Sequence, residues 1–332
     1  MLKGAIVGFG DVALNGHWPA WAASEDATIV AVVDRTRQRR DLASQLASGL
    51  PTYSSIEELA DANLAVDFVD ICTPPASHAE PVRVAIDRGW HVLCEKPVLL
   101  HSSDFESLGR LARDRGVAVM PVHNWKHAPI VKRATDLLRS GAIGRLRSVA
   151  IDTERPQPCA DAGGRSWRRD PAIAGGGILM DHGWHAAYLA LHWFGETPTR
   201  VKATVQRPAT DEVEDEAALV VSFPSGDASI ALTWRGTVRR NLMRLIGDRG
   251  ELMIADAVLH LDVEGARTTT RFDEALSAGS HHAGWLRVML PDVIAAFRDP
   301  ARSRAPFAEA AACLSIVEQA YRSAGAAVSV PA

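Results

Sequence analysis

KGAIVGFGDVA, residues 3–13, followed by TIVAVVD, residues 28–34, decides the fold. Each contains an apolar run with almost no polar alternation, as in strands covered on both faces of a parallel sheet; half-exposed strands alternate instead. The interval between them holds one helix, which makes a βαβ unit. Working outward, AVDFVDICT (65–73), HVLCEK (91–96) and VAVMPV (117–122) repeat the pattern. They are separated by the helix-like HAEPVRVAIDRG (78–89) and SSDFESLGRLARDRG (102–116). Ser102 or Ser103 is placed to cap the second of these helices, with Glu106 completing a capping box and Gly116 ending it. Strands alternating with helices of this length predict an α/β fold with a doubly wound parallel sheet.

After residue 123 the rhythm changes. A helical segment, PIVKRATDLLRS (129–140), closes at Gly141 and leads to LRSVAIDTE, then to an irregular Gly/Pro-rich stretch (156–177) and a helix over 179–194. From 200 to 272 the chain reads as consecutive strands with turn residues between them, including Pro224-Ser225-Gly226-Asp227, which predicts an open, mainly antiparallel sheet. Helix-like segments over 285–298 and 307–323 close the chain, and Pro291 either kinks the first or marks its true start. The expected division is a dinucleotide-binding domain over 1–122 and a substrate-binding and oligomerisation domain of α+β type over 123–332.

The 332 residues, 47% hydrophobic and 23% charged, fit two domains of an ordinary globular enzyme. The apolar run at Ile29–Val33 is far shorter than the roughly 20 residues a spanning helix needs, and MLKGAIVGFG lacks the order of a signal peptide, so no membrane and a cytoplasmic location are expected. A net charge of −4 with interspersed lysines and arginines argues against a nucleic-acid partner. Cys72, Cys94, Cys159 and Cys313 form no CxxC pair and read as reduced thiols. Nine tryptophans outnumber eight phenylalanines and three tyrosines.

Gly8-Phe9-Gly10-Asp11-Val12-Ala13 is a GxGxxA placed after the first strand and opening the first helix. Its glycines permit a tight turn and close approach of a pyrophosphate to the helix N-terminus, and the third position needs only a small residue. Asp34 ends the second strand 21 residues after Ala13, where a carboxylate hydrogen-bonds ribose hydroxyls and repels a 2′-phosphate. NAD is therefore favoured, while Arg35, able to stack on adenine or tolerate a phosphate, keeps NADP open. Cys72-Thr73-Pro74-Pro75 with His78, and Glu95-Lys96-Pro97, fall at the carboxyl ends of strands, where such sheets bind ligands. Preceding a proline, Lys96 is held out of the helical region, and a cis bond there would aim its ammonium in one direction. The alternative for Lys96 is a solvated strand-end lysine.

Trp167-Arg168, then Gly175-Gly176-Gly177, then Asp181-His182-Gly183-Trp184-His185 form the third constellation. Asp181 and His185 are four apart and share a helix face, with His182 close to both. Three readings stand: a metal site, which lacks a further ligand; general acid/base work, with His185 moving a proton and Asp181 orienting the ring or the substrate; and a buried histidine satisfied by its helix. The expected metal complement is none.

Together GFGDVA, ICTPPASH, CEKP and GGGILMDHGWH, in this order, resemble the Gfo/Idh/MocA oxidoreductases over essentially the whole chain. The resemblance implies an N-terminal Rossmann domain and a C-terminal domain whose open sheet makes the interface of a homo-oligomer, dimer or tetramer. It also implies that Lys96, Asp181 and His185 surround the nicotinamide and a sugar carbon. Where members often carry an arginine or tyrosine after the sixth strand, this chain has Asn124-Trp125-Lys126. The expected cofactor contacts are thus Gly8 to Ala13, Asp34, Arg35, Thr73, Pro74, Pro75, His78, Glu95, Lys96 and Asn124. The expected substrate contacts are Lys96, Trp125, Lys126, Trp167, Arg168, Asp181, His182 and His185.

The implied reaction is hydride transfer between the nicotinamide and a secondary alcohol or ketone of a sugar, sugar derivative or cyclitol. His185 exchanges the hydroxyl proton and Lys96 polarises the same oxygen. Rival readings are an NAD-dependent glycosidase working by oxidation and elimination, and a non-catalytic nucleotide-binding regulator. His281-His282-Ala283-Gly284-Trp285 is a further candidate for the pocket, against a solvated loop, and His123 and Asn124 at the end of the sixth strand are placed to touch the nicotinamide or the substrate. Trp18, Trp125, Trp167, Trp184 and Trp285 are expected in segments that face a sugar ring, Trp90, Trp193 and Trp234 in the core, with Trp21 undecided.

Overall fold

Six short strands build the parallel sheet of the computed structural model, which describes residues 1–158, 166–208 and 213–325. They are β1 (Leu2–Val7), β2 (Ala27–Val33), β3 (Thr52–Tyr53), β4 (Phe68–Ile71), β5 (His91–Cys94) and β6 (Val119–Pro121), in the order β3-β2-β1-β4-β5-β6. Every neighbouring pair is parallel. β4 and β6 are buried at every position, which is why their sequences do not alternate. The order reverses between β1 and β4, the switch point outside which ligands of open α/β sheets bind. Two-residue β3 carries no apolar run, so the sequence reading did not place it.

The helix Ser102–Arg115 ends at Gly116 with φ +64, as expected. Its start differs: His101 is the N-cap, without a side-chain capping bond, and Ser102 and Ser103 lie inside the helix. The helix Ala283–Arg298 continues on both sides of Pro291, which is exposed, so the proline does not mark its start. Its apolar face, including Leu286, Met289, Leu290, Val293 and Phe297, joins one core with Ile6, Phe68 and Leu93. Phe68 packs between Trp21 and Phe297, with ring centroids 4.7 and 5.1 Å away.

This packing explains the division of the chain. One compact unit is Met1–Asn124 with Ser280–Ala311; the other is Trp125–Gly279 with the chain from Ala312 on. The first boundary lies two residues beyond the expected one, and Ser280–Ala311 returns to the first unit.

The second unit is built on eight strands: β7 (Leu146–Glu154), β8 (Arg200–Gln206), β9 (Glu216–Phe223), β10 (Gly226–Thr233), β11 (Arg240–Gly247), β12 (Gly250–Ala255), β13 (Val258–Val263) and β14 (Ala266–Arg271). The order is β14-β13-β12-β11-β7-β10-β9-β8, antiparallel throughout except for the parallel β7–β10 pair. Strict alternation in β9 to β11 buries Leu219, Val221, Ile230, Leu232, Met243 and Leu245. The helix Gly183–Phe194 packs on this sheet and is buried at nine positions, Trp184 and His185 among them. No helix among the described residues is long and apolar enough to cross a membrane. Cys159 and part of the Gly/Pro-rich stretch lie outside the described residues.

Candidate active site

In the first unit the glycine loop has the shape its sequence demands. Gly8 has φ +88, and a Cβ there would lie 2.7 Å from the Thr73 methyl carbon and 2.8 Å from the Thr73 amide nitrogen, so only glycine lets the loop run along Thr73. A Cβ on Gly10 would meet nothing within 4 Å, leaving the backbone open to a ligand. Ala13 is fully buried, which explains the small third residue. The Asp34 carboxylate accepts from the amides of Phe9 and Thr36, both at 2.7 Å, and so braces the loop against the end of β2. Asp11 is paired with Arg39, while Arg35 is exposed. These features fit a dinucleotide: an open backbone turn, a small residue behind it and a carboxylate at the strand end.

His78 is fully buried with one ring nitrogen 2.7 Å from the carbonyl oxygen of Pro97 and the other 2.7 Å from that of Thr73. It ties the Thr73-Pro74-Pro75 turn to the segment after Lys96, and burial pulls its pKa below the ordinary value. The Lys96–Pro97 bond is cis, and the Lys96 amide donates to Glu95 Oε2 at 3.0 Å.

Beneath Glu95 lies a network that the motifs did not mark. His17, 2% exposed on a π-helical turn (Ala13–His17), places Nδ1 2.8 Å from Asp70 Oδ2 and Nε2 3.1 Å from Glu95 Oε1. Trp21 Nε1 donates to the same Asp70 oxygen at 2.6 Å. Burial alone would lower the His17 pKa, but the charge and hydrogen bond of Asp70 outweigh it and hold the ring well above its ordinary value. Burial likewise would raise Glu95, yet His17 and Lys96 keep it low. His17, Asp70 and Cys72 are the one group among the described residues that could gather around a metal ion. Burial and the Asp70 charge push the Cys72 thiol up to about 12, and Asp70 is already satisfied by two donors, so the group reads as a closed hydrogen-bonded network.

Also in this unit, His123 Nδ1 is 2.7 Å from Glu309 Oε1, His282 stacks on Trp285 at 3.5 Å, and the carbonyl oxygen of His281 would lie 2.9 Å from a Cβ on Gly16.

In the second unit the glycine run acquires a physical reason. Gly175 has φ +78, a Cβ on Gly176 would lie 2.1 Å from the Tyr321 hydroxyl, and one on Gly177 would lie 1.9 Å from the Glu214 carbonyl oxygen. Buried Glu214 accepts from the amides of Gly177 and Leu179 and from Tyr321, capping the turn that leads into the helix Ile178–Asp181. Burial raises its pKa against these hydrogen bonds.

That turn presents Asp181, whose Oδ2 lies 3.4 Å from Arg168 Nε and 3.4 Å from His182 Nδ1. His185 follows on the helix Gly183–Phe194 with its ring stacked on Trp125, 4.5 Å between centroids, and Nδ1 2.7 Å from the Tyr188 hydroxyl. The same hydroxyl accepts from the Trp125 amide at 3.1 Å, and Lys126 Nζ sits 5.6 Å from the Tyr188 ring centre. Asp181, His182 and His185 do not bring three ligand atoms within 4.8 Å of one another. Trp167 carries the Arg168 guanidinium over its ring at 4.4 Å.

The structure thus gathers Trp125, Lys126, Asp181, His182 and His185 in one unit, with Arg168 on Trp167 beside Asp181, and the glycine loop, Asp34, Thr73, Glu95 and Lys96 in the other. Tyr188, Glu214, His17 and Arg155 were missed. Asp70 and Arg155 carried a readable signal, since a charge inside an apolar strand or at its end requires a partner. Among the tryptophans, Trp184 and Trp285 are 0% and 2% exposed and belong to the core, so neither offers a face to a sugar; Trp21 also joins the core.

Comparison with known proteins agrees with this geometry. Residues 2–123 match the model of an oxidoreductase family with an NAD-binding Rossmann fold, and 131–253 match a GFO/IDH/MocA C-terminal domain. A dTDP-3,4-didehydro-2,6-dideoxy-alpha-D-glucose 3-reductase of Streptomyces antibioticus is 30% identical over 282 residues, covering 83% of this chain and 82% of its own. The chain belongs to the Gfo/Idh/MocA oxidoreductases. A D-xylose 1-dehydrogenase (NADP(+)) of Haloferax volcanii is 34% identical over 223 residues, 67% of this chain and 66% of that protein. An oxidoreductase from Agrobacterium radiobacter, solved with NAD+, L-tartaric acid and magnesium, has the same fold, with TM-score 0.84, 21% identity and coverage of 98% and 96%. This Gfo/Idh/MocA protein is an NAD(P)-dependent oxidoreductase.

Proposed function

We propose that the enzyme moves a hydride between NAD(P) and a secondary alcohol or ketone of a sugar, sugar derivative or cyclitol, with Lys96, Asp181 and His185 as its catalytic groups. The observation that carries this reading is the placement of His185. Its Nδ1 lies 2.7 Å from the Tyr188 hydroxyl and its ring stacks on Trp125, which fixes the orientation of the imidazole; this reading assigns the tautomer in which Nδ1 donates to Tyr188 and Nε2 takes the proton. Asp181 supplies a carboxylate one helical turn earlier to orient a substrate hydroxyl. Lys96, on a strand end braced by Glu95, polarises the reacting oxygen. A nicotinamide dinucleotide held at the Gly8–Ala13 loop supplies the hydride acceptor or donor. In oxidation the carbon gives up its hydride, the hydroxyl proton goes to His185, and the carbonyl forms; reduction reverses each step.

The first unit serves the dinucleotide in this reading, with Asp34 setting a preference for NAD, and the second unit serves the substrate. A homo-oligomer through the second sheet is supported by its outward face, where Ala150, Ala218, Ala231 and Leu242 stand beside Val220 and Ile246, 40% and 36% exposed. A cytoplasmic location accords with an NAD(P)-linked activity.

The test is replacement of Lys96 by Met and His185 by Ala. Each variant should lose about 10²- to 10⁴-fold in kcat with the true substrate while still binding NADH. Near-normal turnover in both variants overturns the assignment.

A further inference from the structure

Arg155 is 1% exposed and bears a charge that no carboxylate neutralises by contact. Its Nη1 donates to the carbonyl oxygens of Glu154 and Arg240, at 2.7 and 2.9 Å, and Nη2 to Asn241 Oδ1 at 2.9 Å; all three acceptors are neutral. Arg155 Nε and Asn241 Nδ2 are buried with no hydrogen-bond partner among the described residues. A buried guanidinium in this state is costly unless a charge nearby offsets it. It lies 6.0 Å from the centre of the Trp125 ring, whose indole stacks on His185.

A second guanidinium, Arg239, is held by the carbonyl oxygens of Ser277 and Gly279 and forms no ion pair among the described residues. It lies within electrostatic reach of Arg155, Arg168 and Asp181. Arg168, spread over Trp167, is the third. Three arginines therefore bear on one carboxylate, Asp181, and among the described residues Asp256 also acts on Arg155. Arg155 and Arg239 have only neutral hydrogen-bond partners among the described residues.

We infer that the substrate carries an acidic group, a carboxylate or phosphate, received by Arg168 and Arg239 in the field of buried Arg155. The substrate is thus an acidic sugar or cyclitol derivative. The guanidinium of Arg168 lies over the Trp167 ring, and its planar fork of donors suits a bidentate contact to a carboxylate or phosphate. Arg155, sealed from solvent, acts through the field and makes no direct contact. This rests on the reading of His185 and Asp181 as the substrate site.

The test compares matched substrates on the NAD(P)-loaded full-length protein at fixed ionic strength: D-glucose against D-glucuronate and glucose 6-phosphate, and D-galactose against D-galacturonate. The expected result is a kcat/KM at least tenfold higher for an acidic member than for its neutral partner, with the carboxylate and phosphate arms identifying the anion. Arg168→Gln and Arg239→Gln should each cut that acidic-to-neutral ratio by about 10- to 100-fold, the scale of a hydrogen bond to a charged group, and Arg→Lys should restore part of it. A ratio of one or below in the wild type overturns the inference, as does a ratio unchanged in both Gln variants. Quenching of tryptophan fluorescence, with Trp125 and Trp167 beside the arginines, reads binding without turnover. Saturable, salt-sensitive quenching by the acidic sugars with no NADH formed from any member keeps the anion site and refutes the dehydrogenase reading. NADH formed only from neutral members does the reverse.

Discussion

His17 Nε2 lies 3.1 Å from the Glu95 carboxylate, while its Nδ1 lies 2.8 Å from Asp70. One imidazolium therefore ties the helical turn after the glycine loop to the strand end that precedes Lys96. Both ring nitrogens face carboxylates, a geometry that only the doubly protonated ring satisfies.

The consequence for stability has a definite sign. The folded His17 pKa is raised, so its contribution is fully present below about 6.5 and is lost as pH rises through the folded value. Glu95, held low, contributes the opposite dependence only at acidic pH. His17→Gln should cost about 3–5 kcal/mol near pH 6, the scale for breaking a buried ion pair. The gap between wild type and variant, measured by urea unfolding, should narrow towards pH 10. A gap that widens with pH contradicts the charged assignment.

The glycine run is a packing requirement of the second unit. Gly177→Ala places a methyl group on the Glu214 carbonyl and should cost about 1–3 kcal/mol by denaturant unfolding, with activity falling as the Asp181 turn shifts. Gly10→Ala has open space around its Cβ and should leave stability within about 0.5 kcal/mol of wild type while weakening NADH binding.

Tyr188 acts through His185. Tyr188→Phe removes the hydroxyl that accepts from the Trp125 amide and faces His185 Nδ1. It should lower kcat about five- to tenfold, one neutral hydrogen bond's worth, with the NADH dissociation constant unchanged. An unchanged kcat would remove Tyr188 from the catalytic account.

Asp34 should set cofactor choice. NADH should bind at least tenfold more tightly than NADPH, and Asp34→Ser should narrow that ratio by removing the charge that repels a 2′-phosphate. The same substitution releases the Phe9 amide, so affinity for NADH should also fall. A wild-type preference for NADPH of tenfold or more contradicts this reading of Asp34.

The sheet of the first unit was legible because strands covered on both faces read as unbroken apolar runs, and the glycine loop because backbone geometry restricts its residue types. The second sheet was legible from alternation and turns. What escaped depends on contacts between distant segments. β3 is too short for a pattern. Glu214 caps a turn 37 residues before it and meets Tyr321 107 residues after it. Arg155 was readable as a charge at the end of an apolar strand, but two of the neutral acceptors that surround it come from distant Arg240 and Asn241. The tryptophan count misled in part, because the composition does not distinguish a ring that faces a ligand from one, such as Trp184, that fills the core. Ser280–Ala311 looked like a continuation of the second domain, yet the apolar face of its first helix is complementary to the first core.

The most direct measurement of the central claim is absorbance at the NADH band after mixing the enzyme and NAD+ with a panel of neutral sugars, acidic sugars, cyclitols and aryl glycosides. The account predicts NADH formed one for one with ketone from at least one sugar or cyclitol. Free sugar released from a glycoside with no net NADH, or no redox change with any member in either direction, would contradict it.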